Sequence, residues 1–216
     1  MEAATVDEAR ACEGIAFIGD TLGPLFAHDP SDGQADDLYG ALAALDPAAA
    51  GQEWPFGDAA AATEALADFA AGLAGGVDDD LIWEYRRLFV GPGPKAAPPW
   101  GSVYTDRETV VFGEATLVLR QWMRVSGVRR LGDEAEPEDH IGLMLQLMAW
   151  LARERPALLD EYLADHLLTW APHFLDVMES ATTHPFYRGL AALTRLSLEG
   201  IGEARGLVVE EPRFYR

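Results

Sequence analysis

Apolar residues recur at helical spacing along almost the whole chain, and the period-two alternation of a β-strand is scarce. The first such stripe lies on a helix that ends before Pro30 and consists of Ile15, Ile18, Leu22 and Leu25. Similar stripes follow over residues 38–45 and 59–73, from about Glu114, and after Pro156. The pattern predicts an all-α fold of about eight to ten helices, with residues 1–216 in a single domain.

Prolines and acidic residues mark several predicted helix starts. Asp78, Asp79 and Asp80 open one helix, because acids in a first turn complement the helix dipole. Further helices are expected to begin near Pro137, Pro172 and Pro185, since proline is favoured at the first helical position. The last runs from Pro185 to about Glu203. The helix from Pro137 is expected to bury Ile141, Met144, Leu145, Met148 and Leu151.

The stretch from Val90 to Arg107 interrupts the helices. Its Gly-Pro-Gly-Pro run at 91–94 and the Pro98-Pro99 pair cannot continue a helix, because proline lacks a donor and clashes with the preceding turn. The aromatic residues Phe89, Trp100 and Tyr104 bracket it and favour an ordered loop. Two interpretations stay open on composition alone: a preformed apolar groove for a peptide, or a packed crossover between helices.

The segment from Glu136 to His140 is a cluster of three carboxylates and a histidine. Its simpler interpretation is structural, because acids at a helix N-terminus accept orphan backbone donors, and periodicity alone favours this. The alternative is a site for a cation or a guanidinium group, since arginine pairs with carboxylates through two parallel hydrogen bonds.

The charge of the chain excludes some partners. The formal net charge is −20, so binding to nucleic acid or to an anionic membrane surface is not expected. Residues 1–80 hold 17 acids and one base, a charge of −16. This half is acidic either for solubility or salt tolerance, or because it attracts a basic ligand from a distance.

Cysteine content and hydropathy indicate a cytoplasmic protein. Cys12 is the only cysteine, so neither an intrachain disulfide nor a thiolate metal cage can form. The most apolar run, residues 141–152, is too short for a bilayer-spanning helix, which needs about 20 residues. The start of the chain is acidic and lacks the basic and apolar regions of a signal peptide. No membrane insertion is expected.

The familiar catalytic templates are absent from the sequence. No His-Glu-x-x-His, Gly-x-Gly-x-x-Gly or Gly-x-Ser-x-Gly pattern is present. His166 and His173 stand seven residues apart with no acid at zinc-ligand spacing, so both are expected to be ordinary histidines. We predict no catalytic residue, no metal and no cofactor, and the residues alone support a helical binding protein.

Two long motifs nevertheless resemble a known family. Residues 84–92 (EYRRLFVGP) followed by 98–104 (PPWGSVY), and then residues 136–141 (EPEDHI), are similar to the signatures of the DmsD and TorD redox-enzyme maturation chaperones. The similarity continues through residues 106–113, 119–124, 174–177 and 184–188, and is greatest to the DmsD branch. Gly101 before Ser102 fits that branch, whereas Tyr85 stands where close relatives can carry tryptophan.

The resemblance implies an all-helical, non-enzymatic chaperone in the cytoplasm. Such chaperones bind the twin-arginine leader of a molybdopterin-dependent reductase subunit, here of the dimethyl sulfoxide reductase type. They hold back export until the cofactor is inserted, and then release the enzyme to the Tat translocase at the inner face of the membrane.

The client could instead be a trimethylamine N-oxide, selenate or nitrate reductase, and the oligomeric state stays open between a monomer and a helix-exchanged dimer. The competitor from another class is a metal- or nucleotide-dependent enzyme that uses Asp139 and His140.

The resemblance also implies which residues bind the leader: Tyr85, Leu88, Phe89, Gly91, Pro92, Pro99, Trp100, Ser102, Gly113, Glu136, Asp139 and His140. We expect the apolar part of the leader to lie on Leu88, Phe89, Pro99 and Trp100. The carboxylates of Glu136, Asp139 and Glu138 are expected to pair with its arginines. Replacing Asp139 and His140 together should then weaken leader binding while helicity stays intact.

Overall fold

The chain is almost entirely helical in a computed structural model that describes residues 2–131 and 135–216. Within these residues there are eleven α-helices and no strand. Their bounds are α1 Glu2–Ala27, α2 Asp36–Ala44, α3 Pro47–Glu53, α4 Ala59–Gly72, α5 Asp79–Tyr85, α6 Gly101–Thr105, α7 Glu114–Val125, α8 Ile141–Glu154, α9 Leu159–Tyr162, α10 Ala171–Ala181 and α11 Pro185–Arg205. Helices α5 and α9 each continue into a π-helical turn, Arg86–Val90 and Leu163–Leu167, and a 3-10 turn, Pro156–Leu158, precedes α9.

Side-chain caps explain where several helices begin. Asp46, Asp58 and Asp78 stand just before α3, α4 and α5, and each accepts hydrogen bonds from backbone N–H groups of the first turn. These bonds satisfy donors that have no partner inside the helix. At the other end of the chain, Gly206 adopts a left-handed conformation with φ 62° and ends α11.

The packing of α8 against α1 forms the centre of the core. The two helices approach so closely that a Cβ on Gly142 would stand 2.7 Å from the carbonyl oxygen of Gly23, and a Cβ on Gly19 would stand 2.3 Å from that of Leu145. Only glycine permits this contact between backbones. The buried face of α8 is the predicted one, Ile141, Met144, Leu145, Met148 and Leu151.

The all-α prediction is confirmed, although α3 and α6 are short helices beyond those that periodicity indicated. The expected single domain over residues 1–216 stays a prediction. None of the helices in the described part of the chain is long and apolar enough to cross a membrane.

Two predicted boundaries are wrong. Helix α8 begins at Ile141 and not at Pro137, because residues 139–141 pair with residues 99–101 instead of continuing a helix. The Gly101 N–H donates to the Asp139 carbonyl at 3.1 Å, and the Ile141 N–H donates to the Pro99 carbonyl at 2.8 Å. The predicted loop from Val90 to Arg107 contains α6, which starts where this pairing ends.

Candidate functional site: a groove along the outer face of α8

An open groove of about 770 Å³ lies along α8, between the end of α1 and the chain that joins α7 to α8. Its polar lining comes from both ends of this joining chain, from α8 and from the residues after α1: His28, Gln34, Arg129, Arg130, Glu136, Glu138, His140 and Gln146. Its apolar lining is Ala27, Met123, Val128, Leu131, Leu143, Leu147 and Trp150. The groove therefore combines two carboxylates and two arginines with an apolar surface.

Helix α8 supplies the apolar surface through Leu143, Leu147 and Trp150, which follow one another at i, i+4 and i+7. These residues are partly or fully exposed, with Trp150 39% accessible, while the opposite face of α8 lies in the core. A surface helix normally has one apolar face and one polar face. An apolar second face indicates a surface that a partner covers.

Glu136 provides a negative charge in the groove wall. The Trp100 indole Nε1–H donates to its Oε1 at 2.5 Å, and no cationic side chain of the described residues forms an ion pair with it. Arg130 also lines the groove, but its Nη1 donates to the backbone carbonyl of Glu136 at 2.6 Å. A carboxylate without a cationic partner can still form the bidentate pair that a guanidinium group favours.

Glu138 is already paired. Arg120 donates to its two carboxylate oxygens at 2.8 and 2.6 Å. Burial alone would raise the pKa of Glu138, but the hydrogen bonds from Arg120, a backbone N–H and the positive charges of Arg120 and Arg130 together outweigh it, and the pKa is lowered. Glu138 therefore stays ionised in the groove, and an arginine of a ligand would have to share it with Arg120.

Asp139 lies in the interior and not in the groove, with 2% of its surface exposed. Its Oδ2 accepts from the Ser102 N–H at 2.7 Å and its Oδ1 accepts from the Thr116 hydroxyl at 2.7 Å. This carboxylate ties the start of α6 and the first turns of α7 to the chain before α8. The structure places it where it fixes the groove wall, and not where an arginine of a ligand could reach it.

His140 is the N-cap of α8 and also lines the groove. Its Nδ1 accepts from the Gly142 N–H at 3.1 Å, which leaves the proton on Nε2. Burial, helped by the positive charge of Arg130, lowers the pKa of His140 to about 3, so the ring is neutral. Among the described residues Nε2 has no hydrogen-bond partner, although 94% of the residue is buried. The ring can therefore donate to an acceptor that enters the groove.

The predicted apolar wall is wrong for most of its members. Leu88 and Phe89 are 0% and 3% exposed and belong to the core, and Pro99 is buried as well. Tyr85 is also buried and donates from its hydroxyl to the Phe26 carbonyl at 2.9 Å. Sequence alone cannot distinguish an apolar residue that faces a ligand from one that faces the core. Of the predicted apolar set, Trp100 is the member that keeps an accessible ring, beside His140.

The remaining predicted residues shape the backbone. Gly91 has φ 110°, which glycine adopts readily, and Pro92 follows it on the surface. Ser102 is fully buried and anchors α6 through its N–H. A Cβ on Gly113 would stand 2.4 Å from Asp106 Oδ2, so a side chain there would displace the carboxylate that accepts from the Glu114 N–H. These residues position the segment that carries Trp100.

The α1–α2 connection is a part of the site that the sequence did not reveal. His28 and Gln34 line the groove, Asp32 is exposed on the same connection, and Asp36 is exposed at the start of α2. These acids belong to the strongly charged first 80 residues, outside the matched motifs. The signal that could have found them is the density of acids between residues 29 and 37.

Chemical catalysis has no support in the part of the chain that the structure describes. Within it, no group of His, Cys, Asp and Glu residues could hold a metal ion. The two carboxylate oxygens of Asp139 already accept hydrogen bonds, so the proposed enzyme centre of Asp139 and His140 lacks a free base. His166 packs against Trp122, and His173 stacks on Phe214.

Comparison with known proteins places this helical chain among chaperones. The model of the nitrate reductase delta subunit family matches residues 57–176, and this chain belongs to that family. The Tat proofreading chaperone DmsD of Salmonella typhi is 43% identical over 187 residues, which cover 86% of this chain and 88% of that protein. DmsD of Salmonella typhimurium strain LT2 is 42% identical over the same shares of the two chains. Chaperone protein TorD of Vibrio cholerae (strain ATCC 39541) is 30% identical over 131 residues, 55% of this chain and 58% of that protein.

The predicted resemblance to DmsD and TorD chaperones is therefore confirmed. Because the relatives are named chaperones, the chain is a member of a maturation-chaperone family and not of an enzyme class. The assignment of individual leader-binding residues stays a prediction.

Proposed function

We propose that this protein is a Tat proofreading chaperone that binds the twin-arginine leader of a molybdopterin-dependent reductase subunit of the dimethyl sulfoxide reductase type. The observation that supports it most directly is the groove, in which carboxylates adjoin the apolar outer face of α8. A twin-arginine leader has the matching order of features, two guanidinium groups followed by an apolar stretch. The names of the relatives add independent support.

In this proposal the leader arginines bind at the Glu136 end of the groove. Glu136 is the carboxylate without a cationic partner, and Glu138 stands nearby with its pKa lowered. A guanidinium group can donate two parallel hydrogen bonds to a carboxylate, whereas a lysine ammonium group cannot. Asp32 of the α1–α2 connection and Asp36 at the start of α2 would add to the negative potential of the groove.

The apolar part of the leader would lie on Leu143, Leu147 and Trp150, where burial of apolar surface contributes about 25 cal/mol per Å². The His140 Nε2–H would donate to a backbone carbonyl of the leader. Because the pKa of His140 is lowered to about 3, this donor is a neutral imidazole and does not repel the arginines. Trp100 would close the side of the groove.

The buried members of the predicted set would act by holding the groove wall in shape. Asp139 and Ser102 fix α6 against α8, while Leu88 and Phe89 anchor the preceding turn in the core. A wall that is ordered before binding lowers the entropy lost when the leader docks.

We place this activity in the cytoplasm, because a leader has to be bound before its protein is exported. The chaperone would retain the client until its cofactor is inserted and then release it, at the inner face of the membrane, to components of the Tat translocase. The partners proposed are thus the leader and, transiently, the translocase.

A client other than dimethyl sulfoxide reductase is the second candidate, favoured by the description of the matching family and by the similarity to TorD. Competition between leader peptides from dimethyl sulfoxide, trimethylamine N-oxide, selenate and nitrate reductases for this protein would rank them. The leader with the lowest Kd identifies the client.

Calorimetric titration with the leader peptide of a dimethyl sulfoxide reductase catalytic subunit tests the function. We expect saturable binding, and a loss of about tenfold or more when the Arg-Arg pair is replaced by Lys-Lys, because the bidentate pair is lost while the charge is kept. A scrambled leader of the same composition is the control. Equal affinity for all three peptides would contradict the proposal.

A further inference from the structure

The segment after α11 runs back across the molecule in an extended conformation. It leaves the helix at Gly206 and contains no further helix up to Arg216. Leu207, Val209 and Phe214 pack against the core with partly buried side chains. This segment therefore contacts other elements along its length.

Tyr215 and Arg216 bind the segment that carries Trp100. The Tyr215 N–H donates to the Tyr104 carbonyl at 2.9 Å, and Arg216 Nη2 donates to the Lys95 carbonyl at 2.7 Å. His173 of α10 also contacts the end of this segment. Its Nε2 lies 2.6 Å from the Arg216 carbonyl oxygen, and its ring stacks on Phe214 with centroids 4.0 Å apart.

Residues 95–104 thus lie between two sets of contacts. On the groove side, Asp139 accepts from the N–H of Ser102, and the carbonyl of Asp139 accepts from Gly101. On the other side stand Tyr215 and Arg216. Between them, the Lys95 ammonium lies 5.4 Å from the centroid of the Trp100 ring, and that ring donates to the groove carboxylate of Glu136.

We infer that Phe214, Tyr215 and Arg216 are positioning residues for ligand binding: they hold residues 95–104 so that Trp100 keeps its hydrogen bond to Glu136, which lines the groove. This inference rests on the proposed function of the groove as the leader site. Its physical basis is preorganisation, because a wall segment that is free to move has to be ordered when the leader binds. The three residues touch no part of the groove lining directly.

Removal of residues 214–216 from the otherwise unchanged chain tests the inference. We expect leader affinity to fall about fivefold, because residues 95–104 are then no longer ordered before binding. The free energy lost should be about that of one hydrogen bond. Phe214→Ala should produce part of this loss. Phe214→Tyr should keep the affinity of the unmutated protein, since tyrosine keeps a ring stacked on His173. Val208→Ala is the matched control, because Val208 lies in the same segment but is 87% exposed.

Hydrogen exchange at the amides of Ala96 and Ala97, compared with that of other amides, separates a local loss of order from a general loss of stability. These amides donate to the carbonyls of Arg87 and Leu88, both at 3.1 Å, and report on the order of the wall segment. We expect their protection to fall in the truncated protein while that of α8 amides stays unchanged. Should truncation prevent folding, Arg216→Ala gives the same test with a single contact removed.

The outcomes separate this inference from the proposed function. Lower affinity together with lower protection at Ala96 and Ala97 supports the inference. Unchanged affinity, or an equal loss of protection throughout the molecule, overturns it. If the intact protein does not bind the leader, the proposed function fails. In that case, protection at Ala96 and Ala97 still decides whether the last three residues order the segment.

Discussion

At the scale of single residues, two neighbouring carboxylates have different tasks. Asp139 is buried and accepts two hydrogen bonds, from Ser102 and from Thr116. Glu136 lines the groove and accepts one, from Trp100. Loss of one hydrogen bond to a buried acceptor lowers the free energy of unfolding by about 1–3 kcal/mol, whereas a groove carboxylate can be replaced with little effect on folding. Stability and binding should therefore respond to different residues.

Substituting these residues separately tests this assignment. We expect Asp139→Asn to lower the free energy of unfolding by about 2 kcal/mol, because an amide group then opposes one of the two donors. Glu136→Gln should change stability by less than about 0.5 kcal/mol and weaken leader binding about tenfold, since the charge that pairs with arginine is lost. Urea unfolding and calorimetric titration measure the two effects.

The exposed Glu154, which lies on α8 outside the groove lining, provides the control as Glu154→Gln. The opposite pattern, with Asp139→Asn stable but unable to bind and Glu136→Gln unchanged, would show that Asp139 contacts the leader directly. The expectation that helicity stays intact when Asp139 and His140 are replaced together stays a prediction, but their burial means that the double variant should also lose stability.

A third carboxylate, Glu84, links α5 to the chain between α10 and α11. It accepts from Arg87 at 2.7 and 2.8 Å and from the Thr183 N–H at 2.7 Å, and its side chain is 2% exposed. Burial would raise the pKa of Glu84, but these hydrogen bonds outweigh it and lower the pKa to about 2. Its folded-state pKa is therefore depressed below the unfolded value.

The contribution of Glu84 to stability should consequently depend on pH. A depressed pKa stabilises the fold above the unfolded value near 4.5, and the contribution disappears as the pH falls from there towards 2. We expect Glu84→Gln to cost about 3 kcal/mol at pH 7, and the difference from the unmutated protein to shrink steadily below pH 4.5. Urea unfolding at several pH values measures it, with the exposed Glu64→Gln as control. A difference that does not vary with pH would contradict the assignment.

At the scale of elements, periodicity predicted the helices well, because their buried stripes are long and regular. It did not predict that α8 begins at Ile141, since the pairing of residues 139–141 with residues 99–101 is a contact between segments far apart in sequence. The same contact creates α6 within the predicted loop. Local preferences cannot reveal boundaries that tertiary hydrogen bonds determine.

The candidate site was predictable in part, for a related reason. The motif segments were found, and Trp100 contacts Glu136 and His140, which both line the groove. The predicted apolar residues Leu88 and Phe89 lie in the core, whereas the exposed apolar surface along the groove is the outer face of α8. The apolar residues on both faces of that helix were visible in the sequence, but only the fold shows which face the core covers.

At the scale of the whole molecule, the chain brings part of its uneven charge to the groove. The first 80 residues have a charge of −16, and the sequence left solubility and attraction of a basic ligand as alternatives. In the structure, the α1–α2 connection places His28 and Gln34 in the groove lining, and the exposed Asp32 has a carboxylate oxygen 3.6 Å from the His28 Nδ1. Asp36 is exposed at the start of α2. A field of one sign at a binding site raises the association rate of a ligand of opposite charge.

The salt dependence of leader association distinguishes these alternatives. If the acidic rim attracts the leader, the association rate should fall about tenfold or more between about 20 and 500 mM salt, while the dissociation rate changes little, because salt screens interactions beyond the Debye length.

Replacing Asp32 and Asp36 with asparagine should reduce both the association rate at low salt and its salt dependence. The control replaces two exposed acids outside the groove lining, Asp58 before α4 and Glu64 on α4, with Asn and Gln. It removes the same charge, but it should change the association rate and its salt dependence less. Stopped-flow fluorescence measures the rates. Equal effects of the two pairs would assign the acidity to general attraction, and a rate independent of salt would assign it to solubility.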